Sequence, residues 1–235
     1  MPIRPAISGA ILLVQWTSAA VIANASSQDT HKNVIIRIAP NCNIRVTVPS
    51  NAMVTGNQDN RGSGSVTVEN PHAIKSKEYI EPFHMGFICY PEDDEQTTFP
   101  VVRFNTDKKQ WTKDASEWEK EAVEAADPEH RKFLRKLIKT TVVHNLQAVN
   151  RQGWAMTQED LTGDESARRR TLHYCLINPP KALCGYSDVG YLKDGRKGDL
   201  TDYALKILRS IEFLPEEPAA DGGTAPAARE SGGAK

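Results

Sequence analysis

Residues 173–186 read HYCLINPPKALCGY, with a Pro-Pro pair at the centre and a cysteine on either side, Cys175 and Cys184. If segments 168–178 and 182–192 run antiparallel about Pro179-Pro180, residues equidistant from that pair face one another. Cys175 then meets Cys184, Leu176 meets Leu183 and Ile177 meets Ala182. Facing residues in an antiparallel pair hold their Cβ atoms about 4.5–5.5 Å apart. A disulfide needs about 3.5–4.5 Å, which strand twist supplies. Two-residue hairpin turns favour Asn-Gly types over Pro-Pro, so the turn is the weak point of this reading, and a longer loop would keep the same register.

Pairing these two cysteines leaves Cys42 for Cys89, and both of those flank expected strands. Four cysteines allow three connectivities, and sequence does not choose among them. A metal site is the rival use, but Cys175 and Cys184 do not have zinc-ligand spacing and no C-x2-C occurs. His84 with Cys89, or His173 with Cys175, could contribute ligands to such a site. A catalytic thiol is disfavoured because an even cysteine count in an exported chain points to pairing. No metal and no cofactor is expected.

Export is read from the N-terminus. Arg4 supplies a positive start, 6–22 are mostly apolar, and Ala23-Asn24-Ala25 has the small-x-small form that precedes cleavage. The expected organisation is a signal peptide over 1–25, one folded unit over 33–214 and a disordered tail over 215–235. Retention of the leader as an anchor is the alternative; after cleavage no stable membrane span is expected. The single N-x-S/T match, at Asn24, straddles the cut, which mildly favours a bacterial source. Net charge is -1, with 39% hydrophobic and 25% charged residues. That balance offers no basic field for nucleic acid.

Working outward, 34–38 and 44–48 read as strands from their β-branched content and alternation. Residues 26–33 read as loose and 56–64 as a flexible loop. Segments 66–68 and 85–90 resume strands, and 101–104 reads as a short edge piece. A helix capped by Thr112 or Asp114 is expected to run to about 126, with Trp118, Ala122 and Val123 on one face. Asp127-Pro128-Glu129 opens a second helix to about 139. Its stripe Phe133, Leu134, Leu137 and Ile138 is flanked by Arg131, Lys132, Arg135, Lys136 and Lys139. These cations read as a solvated face. Segments 140–149, 153–160, 168–178 and 182–192 form a meander of strands. A helix opening at Gly198-Asp199-Leu200 and a short strand at 211–213 close the fold. The expected class is α+β: an antiparallel sheet packed with a central helical segment and a C-terminal helix.

No motif names a reaction. Gly185-Tyr186-Ser187-Asp188-Val189 lacks the glycine that a nucleophile elbow requires two places after the serine. His144 and His173 are expected on neighbouring strands, where either could act with Glu159 or Asp160 as a base and its orienting carboxylate. Glu92-Asp93-Asp94-Glu95 reads as a solvated turn rather than a calcium loop. Arg168-Arg169-Arg170 begins a strand, so 168 and 170 share one face and 169 takes the other. Arginine forks suit carboxylate or phosphate ligands. Arg168, Arg170, Tyr186 and Tyr191 are the candidate binding residues, from types favoured at interfaces.

GWAMTQEDLTG (153–163), RRRTLHYCLI (168–177), LCGYSDVGYL (183–192) and LTDYALKILRS (200–210) leading into IEFLP resemble the end of PsbP-like α/β folds. In that group a central antiparallel sheet is followed by a helix and a final strand; here Leu208, Ser210, Ile211 and Phe213 carry the closing pattern. The resemblance covers about 140–214 and transfers no catalytic residue. It implies a binding role, since periplasmic proteins of similar build include immunity proteins that neutralise toxins. The leading expectation is a periplasmic or secreted binding protein without catalytic activity that takes another macromolecule or a small ligand, with a protein partner, such as a toxin, preferred. The alternatives are a small exported hydrolase using a histidine-carboxylate pair, or an envelope structural protein.

Overall fold

The computed structural model describes residues 30–56, 62–71 and 81–215. The expected signal peptide and nearly all of the expected tail lie outside the described residues, as does most of the expected loop over 56–64. The strands are β1 (His31–Ile36), β2 (Ile44–Pro49), β3 (Met53–Gly56), β4 (Ser63–Val68), β5 (Phe83–Pro91), β6 (Val102–Asn105), β7 (Gln110–Lys113), β8 (Val142–Gln147), β9 (Gln152–Glu159), β10 (Arg169–Asn178), β11 (Lys181–Tyr191) and β12 (Glu212–Phe213). The helices are α1 (Ser116–Glu124), α2 (Pro128–Thr140) and α3 (Thr201–Arg209). Antiparallel sheet with helices makes the class α+β.

Seven strands form the main sheet in the order β3-β4-β5-β11-β10-β9-β8. The meander β8 to β11 therefore follows chain order, as short connections favour. The central hairpin has the expected register: Cys175 faces Cys184, Leu176 faces Leu183 and Ile177 faces Ala182. Asn178 faces Lys181 across a cis Pro179-Pro180 peptide, so the two prolines close the turn by themselves. Two cysteine pairs stand at disulfide distance, Cys175 with Cys184 and Cys42 with Cys89.

Strand alternation sorts the sheet's residues between two layers. On one face Phe83, Met85, Phe87, Leu172, Tyr174, Leu176, Leu183 and Val189 are buried against the small sheet β1-β2-β12 and the inner face of α3. On the other, Trp154, Met156, Cys175, Ala182 and Cys184 pack with Val101, Val102, Trp111 and Trp118 from the β6-β7 hairpin and α1. Asn145 fastens that hairpin to β8: its Oδ1 accepts from Trp111 N at 2.6 Å and its Nδ2 donates to Trp111 O at 3.0 Å. Proline at the first helical position and the Asp127 Oδ1 acceptor, 3.0 Å from Glu129 N, start α2 as expected.

Several local expectations are corrected. Residues 31–33 belong to β1 rather than to a loose leader, because β2 supplies their partners, Pro49, Val48 and Thr47. The helix after residue 112 starts only at Ser116; before it, β7 pairs with β6, and Asp114 Oδ1 accepts from Ser116 N at 3.1 Å. Val123 is 76% exposed, since α1 is covered on the side of Trp118 and Ala122 alone. The 101–104 piece edges no large sheet; it pairs with β7 in a separate hairpin. The short strand β3 carried no clear periodicity and was not expected.

Candidate functional site

The helical layer and the β6-β7 hairpin cover the second face over β8, β9, β10 and the Ala182–Cys184 end of β11. Beyond them the face over β3, β4, residues 84–88 of β5 and the Tyr186 stretch of β11 is open. Register places its residues in rows. Thr55, Ser65 and Gly86 face one another across three strands, and Met53, Thr67 and His84 form the next row. Ile88 faces Ser63 on one side and Cys184 on the other. Tyr186 stands on β11 opposite His173. Hydroxyls are tied to neighbours: Thr55 Oγ1 lies 2.7 Å from Ser65 Oγ, and Thr67 Oγ1 lies 3.0 Å from His84 Nδ1. Three large apolar side chains stand out from this polar ground: Tyr186 at 64% exposure, Met53 at 58% and Ile88 at 39%. Gly86 lies among them with open space above it; a Cβ there would meet only His84 Nε2, at 3.9 Å.

An ionic cluster borders this face. Arg169 Nη1 donates to Asp188 Oδ2 at 2.8 Å, and Nη2 donates to Tyr191 Oη at 2.8 Å and to Glu81 Oε1 at 3.3 Å. The Arg169 guanidinium also lies 4.7 Å from the Tyr191 ring centroid. The hydrogen bond to Asp188 pushes the Arg169 pKa up, and the Glu81 side chain pushes the Tyr191 phenol up. Thr171 Oγ1 completes the cluster, donating to Asp188 Oδ1 at 3.3 Å.

The candidate residues do not all converge. Tyr186 and Tyr191 lie on or beside the open face. Arg168 precedes β10 and braces the preceding loop, donating to Thr162 O at 3.2 Å and Gly163 O at 3.1 Å. Arg170 turns to the opposite side of the sheet. Its guanidinium bridges Glu159, at 2.6 Å, and Asp199, whose Oδ1 also accepts from Thr201 N at 2.9 Å. Arg170 thus ties β9 and β10 to the start of α3. The arginine that shares a face with Tyr186 is Arg169. The hairpin register contained that signal, because Tyr186 faces His173 and residues 173, 171 and 169 alternate onto one side.

The two histidines expected to meet do not. β9 separates β8 from β10, and His144 shares its side of the sheet with Leu146 while His173 takes the other side. The His173 ring lies tilted beside Phe99, centroids 5.2 Å apart, and beside Tyr186 at 6.4 Å. His144 Nε2 is buried without a hydrogen-bond partner among the described residues, and neither Glu159 nor Asp160 reaches it. Ser187 Oγ is buried and donates to His84 O at 2.6 Å, which is a structural use. Within the acidic run, Asp94 Oδ1 accepts from Gln96 N at 2.8 Å and caps a 3-10 turn. Among the described residues no group of three or more histidine, cysteine, aspartate or glutamate side chains is placed to hold a metal ion.

Burial pushes the pKa of both His144 and His173 below the ordinary 6.5; at His144, Arg209 adds to the effect and Asp202 and Asp199 oppose it, and at His173, Asp188 opposes it. The unfolded chain therefore binds protons that the folded chain resists. This contribution to stability is complete above about pH 6.5 and is lost as pH falls through the lowered values. The urea midpoint should drop between about pH 7 and 5, and the drop should shrink in the His144→Gln/His173→Gln double variant. An unchanged slope in that variant would assign the pH dependence to other groups.

No family model matches this chain, and no curated protein matches it. A solved structure from Bacteroides thetaiotaomicron VPI-5482 superposes with a TM-score of 0.35 at 10% sequence identity. The match covers 77% of this chain and 48% of the other, so the chain spans about half the length of that protein. Among the described residues no helix is long and apolar enough to cross a membrane.

Proposed function

We propose that this chain is an exported binding protein of PsbP-like build, without catalytic activity, that holds a protein partner on the open face of its main sheet. Its place of action is outside the reducing cytosol, in a bacterial periplasm or beyond it, where paired cysteines persist. Neutralising a toxin, as immunity proteins do, is the form of partnership that fits a chain whose leader directs it to that compartment.

One observation carries the reading: Tyr186, Met53 and Ile88 stand exposed around the bare backbone of Gly86 on a broad sheet face. Small molecules bind in concavities that enclose them, whereas an extended face with an exposed tyrosine suits a macromolecular partner. The hydrolase alternative needs a histidine, a carboxylate and a nucleophile in one place. His144 and His173 lie on opposite faces, and Ser187 is occupied by the His84 carbonyl.

The test is capture from envelope extract by the oxidised mature protein, with Gly86→Arg and Tyr186→Ala as variants. Gly86→Arg fills open space and leaves the strand intact, so it blocks without unfolding. A single stoichiometric partner should be retained by the parent protein and by a Lys139→Gln control, and lost by Gly86→Arg. Tyr186→Ala should weaken it by about 30-fold, the effect of truncating an interface tyrosine worth about 2 kcal/mol. Equal capture by all four proteins would remove this face from the function.

A further inference from the structure

A cleft of about 410 Å3 opens on the opposite side of the main sheet, where α3 meets the end of the β1-β2 hairpin. That volume falls within the range of about 300–1,000 Å3 usual for small-molecule sites. One wall is a single face of α3. Tyr203, Lys206, Ile207 and Ser210 all line the cleft, and their spacing of i, i+3, i+4 and i+7 is what one helix face requires. The facing wall comes from His31, Thr47, Pro49 and Asn51, with Val68 and Pro71 beyond them.

The lining combines apolar surface with polar groups. Val68 and Ile207 are buried members of the main core, and Pro49, Pro71 and the Tyr203 ring extend that apolar surface into the cleft. The Tyr203 ring is held in place edge-on to Phe83, centroids 5.2 Å apart. Among the described residues Lys206 supplies the only ammonium in the lining; its side chain is exposed, and its ammonium makes no hydrogen bond or ion pair. Among the described residues the lining contains no aspartate or glutamate, in a chain with 30 acidic residues against 29 lysines and arginines. Apolar surface beside an ammonium without an acidic neighbour in the described lining complements a molecule with an apolar body and one anionic end.

We propose that this cleft binds a small amphipathic carboxylic acid, its tail along Val68, Pro49 and Ile207 and its carboxylate at Lys206. The site lies on the other side of the main sheet from Tyr186, so it stands or falls separately from the protein-binding face.

Calorimetric titration of the oxidised mature protein with octanoate tests this, with octanol and butyrate as ligands lacking the charge or the tail. Octanoate should bind saturably at one site per chain, and both controls should bind at least about 10-fold more weakly, the usual worth of one charge-assisted contact or a few buried methylenes. Lys206→Glu should weaken octanoate binding by about 10-fold or more without moving the thermal midpoint, because the residue is exposed. Asn51→Trp, which fills the mouth, should weaken it as well. No saturable heat with octanoate, or equal affinity in Lys206→Glu, would overturn the assignment.

Discussion

Gly185→Ala should lower the thermal midpoint by about 8–16 °C, more than most single substitutions in this chain. The cause is a crossing of strands at one point. Tyr174 faces Gly185 in the central hairpin, and its phenol passes over that glycine to donate a hydrogen bond to the Gly86 carbonyl on β5. A Cβ at 185 would lie 2.0 Å from Gly86 O and 2.7 Å from Tyr174 Oη. Backbone on one side and a fully buried ring on the other leave nothing flexible to give way. Overpacking of this kind, with loss of the Tyr174 hydrogen bond, costs about 4 kcal/mol. For a chain of this size each kcal/mol moves the midpoint by about 2–4 °C. Gly86→Ala provides the contrast, because its Cβ enters open space on the outer face and should shift the midpoint by no more than about 2 °C. Calorimetric melting of both variants decides the matter. Equal midpoints would show that β5 and β11 can separate enough to admit a side chain.

The second large effect concerns the cysteines, and the two pairs should differ. Cys42 lies between β1 and β2, and its partner Cys89 is on β5, so this link joins the small sheet to the main one across 47 residues. Cys175 and Cys184 sit on strands already paired by the hairpin ladder, 9 residues apart. Loop-closure entropy assigns about 4 kcal/mol to the first link and about 2.7 kcal/mol to the second. Cys42→Ala/Cys89→Ala should therefore lower the urea midpoint further than Cys175→Ala/Cys184→Ala. Unfolding the purified mature protein without reductant should expose no reactive thiol, and adding reductant should expose all four. Two or more free thiols before reduction would undo the pairing and count against the export reading.

The hairpin shows how far local reading reaches. Pro179-Pro180 and the flanking alternation were enough to place Cys175 opposite Cys184, because period-two strands joined by a tight turn have one register. The start of α2 was legible for the same reason, its cap and proline being adjacent in sequence. The candidate site was legible only in part. Tyr186 and Tyr191 were found as residue types, while Arg169 was passed over for Arg168 and Arg170, although the register already placed 169 on the Tyr186 side. His144 and His173 were expected on neighbouring strands, although the meander order already puts segment 153–160 between them. The cleft under α3 left no trace in sequence: its walls come from residues 31–51, 68–71 and 203–210, and each piece alone reads as ordinary surface.

What the chain determined by itself is what depends on neighbours along it: strand alternation, the central register, helix starts and cysteine parity. Tertiary structure alone decided which half of the second sheet face the helices cover, why position 185 must be glycine, and where α3 leaves a gap beside the small sheet. Those features arise where segments far apart in sequence compete for the same space, and packing of that kind is settled by shape and volume in three dimensions.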